Sequence, residues 1–317
     1  MRDLEQLAAL HESNRRVADP QVERMLRQLR GSLFARSTAV SQLPVAGLRD
    51  PGSVPFGVPS TTRTELDCTR IRQAIATHGS LHVRGLLDPR RVDHMRGVID
   101  AALDAQEFAY STPPPSPSPW FDPSDLVNGG EIARQFVRRS AAVLAVDSPR
   151  GFYQLLDLMF ELGIDQLVAA YFGERPALSG EKTTLRRIPP GADDSGWHQD
   201  GAFLGTNIRS LNLWIALTDC DGSVPGLEFV PTRLEHIVEM GTPGSDFAWC
   251  VAPSVVEAQF PGAAVRPAFK AGDALFFDHF LLHRAWRTPT MLGRRYALEN
   301  WFFAPSAYPD SQTGLIV

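Results

Sequence analysis

The chain has 317 residues, 44% of them apolar and 21% charged, which suits one large globular domain or two small ones. A formal net charge of −5 argues against a nucleic-acid or anionic-membrane surface, while leaving room for a local arginine pocket that takes a small anion. Cys68, Cys220 and Cys250 make an odd set without CxxC spacing, the charged start MRDLEQLAALHESNRR is no secretory leader, and no apolar run reaches membrane-spanning length, so a reduced, cytoplasmic chain is expected.

Apolar residues at helical spacing run through LEQLAALHESNRRVADPQVERMLRQL, interrupted near Pro20, which itself suits a helix start. Residues 1–65 are therefore expected to form a helical N-terminal extension, with a Pro/Gly/Ser-rich connection over 43–60. A helix at 67–78, the strand SLHVRGLL and a helix opened by Asp88-Pro89 follow. Residues 111–130, STPPPSPSPWFDPSDLVNGG, cannot be regular structure because proline removes donors and fixes φ. They form either a surface connection or a lid over a site, with Trp120 and Phe121 placed to close on a ligand. Another helical block, SPRGFYQLLDLMFELGIDQLVAAYFG, ends near residue 173.

Beyond Pro176 short β-rich runs alternate with turn residues: SLNLWIAL, GLEFVP, AVRPAF, DALFFD and RRYALENWFF. Such texture predicts a jelly roll or barrel. The expected architecture is a mainly β core over residues 175–305, flanked by N-terminal helices, α+β overall, in one domain spanning 1–317.

SGWHQDGAF sets His198 and Asp200 two apart. The pair is weak evidence alone and gains weight from GDALFFDHFLLHRAW, which carries His279 and His283. Two imidazoles and one carboxylate make the facial triad of non-heme Fe(II) oxygenases, which leaves three coordination positions for co-substrate and dioxygen. Zinc could use the same donors, but HExxH is absent. Four residues apart on one strand, His279 and His283 could both face the site. Arg294, 11 residues past His283, is followed by Arg295. Alternation sends only one of these two inward, where a guanidinium fork matches a carboxylate.

The motifs SGWHQDGAF, SLNLWIALTDCD, PGLEFVP and GDALFFDHFLLH followed by an arginine resemble the phytanoyl-CoA dioxygenase family over about residues 175–305. That resemblance implies a double-stranded β-helix (jelly roll, cupin-like) enzyme using Fe(II), 2-oxoglutarate and O2. It implies His198, Asp200 and His283 as iron ligands, Arg294 as the clamp on the distal carboxylate, and Trp214 in the co-substrate pocket. His283 is preferred to His279 for its spacing to Arg294, and His236 matches a structural family histidine. Many relatives place a hydroxyl residue two positions past the distal histidine; here that residue is Ala285. Lys182, Thr183 or Thr184 are candidates for the missing contact. Phe203, Arg284, Trp286 and Trp301 are candidate substrate-pocket residues.

The implied chemistry couples decarboxylation of 2-oxoglutarate to succinate and CO2 with hydroxylation, desaturation or cyclisation of a small organic molecule, a biosynthetic intermediate suiting the composition. A carboxylate at Asp200 argues against halogenation, since related halogenases carry a small residue there. The rival readings are a cupin-like metal-binding protein without turnover and a metal-dependent isomerase or hydrolase. Oligomeric state is not legible.

Overall fold

The structure, a computed structural model, describes residues 2–37, 57–111, 118–191 and 196–317. In chain order its main elements are α1 (Arg2–Arg16), α2 (Pro20–Ser37), β1 (Ser60–Thr62), α3 (Cys68–His78), β2 (Ser80–Arg84), α4 (Pro89–Ser111), α5 (Gly130–Arg139), β3 (Ala142–Leu144), α6 (Pro149–Leu162) and α7 (Ile164–Phe172). The remainder are β4 (Ala177–Ser179), β5 (Thr184–Ile188), β6 (Trp197–His198), α8 (Gly201–Leu204), β7 (Ser210–Ala216), β8 (Gly226–Phe229), β9 (Cys250–Val251), α9 (Pro253–Gln259), β10 (Ala274–Phe277), β11 (His283–Trp286), β12 (Arg295–Phe303) and β13 (Gly314–Ile316). They fold as two compact units: residues 1–43, 93–187 and 299–317, and residues 44–92 and 188–298.

The first unit is helix-rich. Pro20 opens α2 as expected, because a proline at a helix start forfeits no intrahelical bond. Ser148 caps α6 by accepting the Gly151 N–H. Leu7, Leu26 and Tyr153 bury one face of α1 and α2 against α6. Buried Arg27 donates to the carbonyls of Asp122 and Val146, both at 2.8 Å. Arg134 pairs with buried Asp147 at 2.8 Å and also reaches the Ser124 carbonyl. These bonds pin the described part of the proline-rich segment, in which Phe121 is buried; residues 112–117 of the expected lid lie outside the described residues.

The second unit is a two-sheet jelly roll. One sheet runs β1-β2-β10-β7 and continues to the first residues of β12; the other runs β8-β11-β6-β9. All of these pairings whose register is known are antiparallel except β1–β2. Side chains of both sheets meet in one cluster: Trp214 and Leu275 from the first, Leu227 and Phe229 from the second, with Phe269 and Ala297.

Two sequence expectations change here. AVRPAF forms no strand; Val265 and Phe269 make only isolated bridges to Phe229 and Cys220, because Pro267 between them cannot donate to a ladder. His279 and His283 do not share a strand. β10 stops at Phe277, and the Asp278 carboxylate accepts the Phe280 N–H at 3.0 Å, turning the chain so that His283 opens β11.

Gly272 holds the turn before β10 at φ +98°, and an added Cβ would lie 2.3 Å from the Leu87 carbonyl oxygen. Backbone against backbone cannot relax cheaply. Gly272→Ala is expected to lower stability by about 2–4 kcal/mol, read as a thermal midpoint depressed by at least about 5 °C. An unchanged midpoint would mean that the turn yields freely.

Candidate metal centre

His198 and His283 lie directly opposite in the β6–β11 register, which brings their rings to a centroid separation of 4.3 Å. Each donates Nδ1–H to a backbone carbonyl, His198 to Gly196 and His283 to Leu281, both at 2.9 Å. Those bonds set one tautomer and leave each Nε2 lone pair for the centre. Asp200, fully buried, opens α8. One ligand atom from each of the three side chains lies within 4.8 Å of the others, and among the described residues no other group of three His, Cys, Asp or Glu side chains gathers in this way.

The segment carrying two of these residues is held from behind. Gln199, buried between them, donates to the carbonyls of His236 and Phe280 at 3.0 and 2.8 Å and accepts the Val238 N–H at 2.7 Å. The Gly201 N–H reaches the His279 carbonyl at 2.9 Å. His279 itself turns its Nδ1 to Ser210 Oγ at 2.9 Å, and burial pushes its pKa down. It is a packing post, outside the gathered triad. From β7, Asn212 donates Nδ2–H to Asp200 Oδ2 at 2.6 Å, orienting the carboxylate. Neither Gln199 nor Asn212 is picked out by the sequence reading; the one available signal is that Asn212 stands two before Trp214, hence on the same strand face.

That face decides the arginine. Arg294 is exposed and Arg295, the first residue of β12, is 3% exposed. The expectation that Arg294 turns inward is corrected: Arg295 shares its strand face with Ala297, which packs in the cluster around Trp214. Its guanidinium donates to the Gly226 carbonyl at 3.3 Å. Trp214 Nε1–H is buried and has no hydrogen-bond acceptor among the described residues, and Asn212 Oδ1 is buried and has no donor among them. A buried cation with an unsatisfied indole donor on one wall is a cradle for an anion or a polar group. Burial pushes the nearby Cys220 thiol up to about 11, so it stays protonated and offers no competing thiolate.

The remaining candidates divide. Phe203 on α8 approaches His198, with ring centroids 6.4 Å apart. Ala285 shares the face of His283, while Arg284 and Trp286 occupy the opposite one. There Arg284 donates to Glu228 at 2.6 Å and lies over Trp197, and Arg266 covers the Trp286 ring. Those two are not brought to the triad. Lys182, Thr183 and Trp301 belong to the other unit. There Lys182 Nζ lies 5.8 Å from the Trp301 ring centre, Thr183 is buried with its hydroxyl unpaired among the described residues, and Thr184 donates to Glu299 at 3.0 Å.

A family model described as phytanoyl-CoA dioxygenase (PhyH) matches residues 75–295. No curated protein matches the chain. Among solved structures, the non-heme alpha ketoglutarate dependent carbocyclase SnoK from nogalamycin biosynthesis aligns at 17% identity and TM-score 0.50, covering 78% of this chain and 87% of its own. EctD from S. alaskensis, solved with 2-oxoglutarate and 5-hydroxyectoine, aligns at 15% identity and TM-score 0.50, covering 74% and 75%. At these identities the two share its fold.

Proposed function

The chain belongs to the phytanoyl-CoA dioxygenase family, and from that premise we propose that it is an Fe(II)/2-oxoglutarate-dependent oxygenase acting on a small organic molecule. The carrying observation is the convergence of His198, Asp200 and His283 within 4.8 Å, with Asn212 fixing the carboxylate and two backbone carbonyls fixing the imidazoles. The donor set, two neutral nitrogens and one carboxylate oxygen, fits a ferrous ion that keeps open positions. Arg295 and Trp214 Nε1–H fit the carboxylates of 2-oxoglutarate, and the indole donor stands in for the hydroxyl that Ala285 lacks.

Iron and 2-oxoglutarate, when bound, supply oxidation of a substrate C–H bond with release of succinate and CO2. The chain supplies the rest. His198 and His283 present Nε2 while their Nδ1–H groups stay hydrogen-bonded to the carbonyls of Gly196 and Leu281. Asp200, held through one oxygen by Asn212, keeps the other for metal. Arg295 shares its strand face with Ala297 of the apolar cluster, and low polarity there strengthens its attraction for a carboxylate. Phe203 walls the side nearest His198. With Asp200 in place, hydroxylation, desaturation or cyclisation is the expected outcome; chlorinated product in the presence of chloride would overturn that expectation.

No helix among the described residues is long and apolar enough to cross a membrane, and a cytoplasmic enzyme of small-molecule biosynthesis fits the composition. The test is a substrate screen scored by succinate release and oxygen uptake, each required to depend on added Fe(II) and 2-oxoglutarate. Release in the absence of Fe(II), or none with any substrate although metal is bound, would count against the reading. Asn212→Ala is expected to weaken Fe(II) binding by about 10–100-fold, the usual cost of losing a partner that orients a metal ligand. Anaerobic Fe(II) titration measures this, and an unchanged affinity would mean that Asp200 is held by something else.

A further inference from the structure

Next to His198 stands a run of aromatic rings that the proposed oxidation chemistry leaves unexplained. Trp249 meets the His198 ring edge-on at 5.6 Å and the Phe203 ring edge-on at 5.4 Å. Phe247 then stacks on Trp249 with centroids 5.1 Å apart and planes 4° from parallel. The run leads from a buried triad to solvent, where Phe247 is 48% exposed and Met240, just before the same loop, 42%. Phe247 is the exposed end of the run, with Trp249 and Phe203 half-buried behind it, and an exposed ring backed by others tends to mark a contact surface.

The loop that carries them is tied down. The Gly241 N–H donates to the Cys250 carbonyl at 2.8 Å and the Cys250 N–H to Phe247 at 2.9 Å. Cys250 pairs with His198 across β9 and β6, so Trp249 is fixed one residue from that register. Gly196 lets the loop approach: at φ +67°, its missing Cβ would lie 2.4 Å from Asp246 Oδ2. Between Arg233 and Arg266 the charges of this segment have one sign. Residues 234–265 contain Glu235, Glu239, Asp246 and Glu257, all exposed, and neither lysine nor arginine.

We propose that Phe203, Trp249 and Phe247 form the substrate-recognition wall, and that the substrate presents to it a planar, unsaturated ring system bearing no anionic group at that end. This rests on the oxygenase reading and narrows it. Parallel and edge-on rings offer flat faces and positive edges that a planar π-system matches and a saturated chain does not. The acidic side chains that this segment carries repel a carboxylate or phosphate, so an acyl-CoA would have to keep its nucleotide away from this wall.

The test uses three probes of one size on the full-length chain, by titration calorimetry, with and without Fe(II) and 2-oxoglutarate: 2-naphthol, its saturated counterpart decahydro-2-naphthol, and 2-naphthoate. The wild type is expected to bind 2-naphthol more tightly than either of the others. Phe247→Ala, a change at an exposed ring, is expected to weaken 2-naphthol by about three- to tenfold. Phe136→Ala, another exposed ring on α5 of the other unit, is expected to leave it unchanged. Equal affinity for the saturated or anionic probe, no binding of 2-naphthol, or equal losses in both variants would overturn the proposal. Failure of the wild type to bind Fe(II) would instead overturn the oxygenase reading, and ring affinity could still be read in the metal-free protein.

Discussion

Replacing His283 with alanine is expected to lower Fe(II) affinity by more than about 100-fold, since losing a ligand exceeds the loss from disturbing its supporting partner. Succinate formation should fall with it to the uncatalysed background. The reason is geometric. His283 and His198 face each other across two paired strands with their Nδ1 protons committed to carbonyls, and His279, the other histidine of the segment, is committed to Ser210. It cannot swing in as a replacement. His279→Ala therefore makes the discriminating control. It should cost about 1–3 kcal/mol of stability, because the Ser210 hydroxyl loses the buried ring nitrogen and keeps only the backbone N–H of residue 279, yet retain one Fe(II) per chain. Anaerobic titration with a chelator-competition readout measures both variants. Full iron stoichiometry in His283→Ala, or its loss in His279→Ala alone, would move the distal ligand to His279.

The second large effect concerns the co-substrate. Arg295→Met is expected to weaken 2-oxoglutarate binding by about two to three powers of ten, the scale of removing one partner from a buried charge-assisted pair. Removing the guanidinium relieves its desolvation penalty but takes the donor from the Gly226 carbonyl. The readout is therefore the ligand-induced rise: 2-oxoglutarate should raise the thermal midpoint of the wild type and no longer that of the variant. Arg294→Gln should bind 2-oxoglutarate as the wild type does, since Arg294 is exposed. Reversed results for the two arginines would reinstate Arg294 as the clamp.

Much of this was legible in linear order because the relevant signals are local. The His198-x-Asp200 pair, the apolar strand runs and the turn residues between them are short patterns whose physics acts over a few residues. The helices over 2–37, 89–111 and 149–172 likewise follow from spacing and from proline or serine at their starts. Arg284 and Trp286, candidates for the substrate pocket by sequence, lie on the strand face opposite His283, because neighbouring positions on a strand point to opposite sides. The phase of that alternation depends on where the strand begins, and the Asp278 turn that starts β11 anew is a side-chain to backbone bond invisible to hydropathy.

What the chain determined by itself was the donor chemistry: two imidazoles, one carboxylate and an arginine pair, in an order that specifies a jelly roll. Spacing already favoured His283 over His279, and the tertiary structure gathers His283 with His198 and Asp200; only the tertiary structure exposed Arg294 while burying Arg295, because strand phase is set by pairing with partners far away in sequence. It also supplied Asn212, Gln199 and the Trp249–Phe247 stack, whose roles exist only as distances between segments. A hydrogen bond from β7 to Asp200, or a ring laid against His198 from a loop 51 residues on, has no periodicity to betray it.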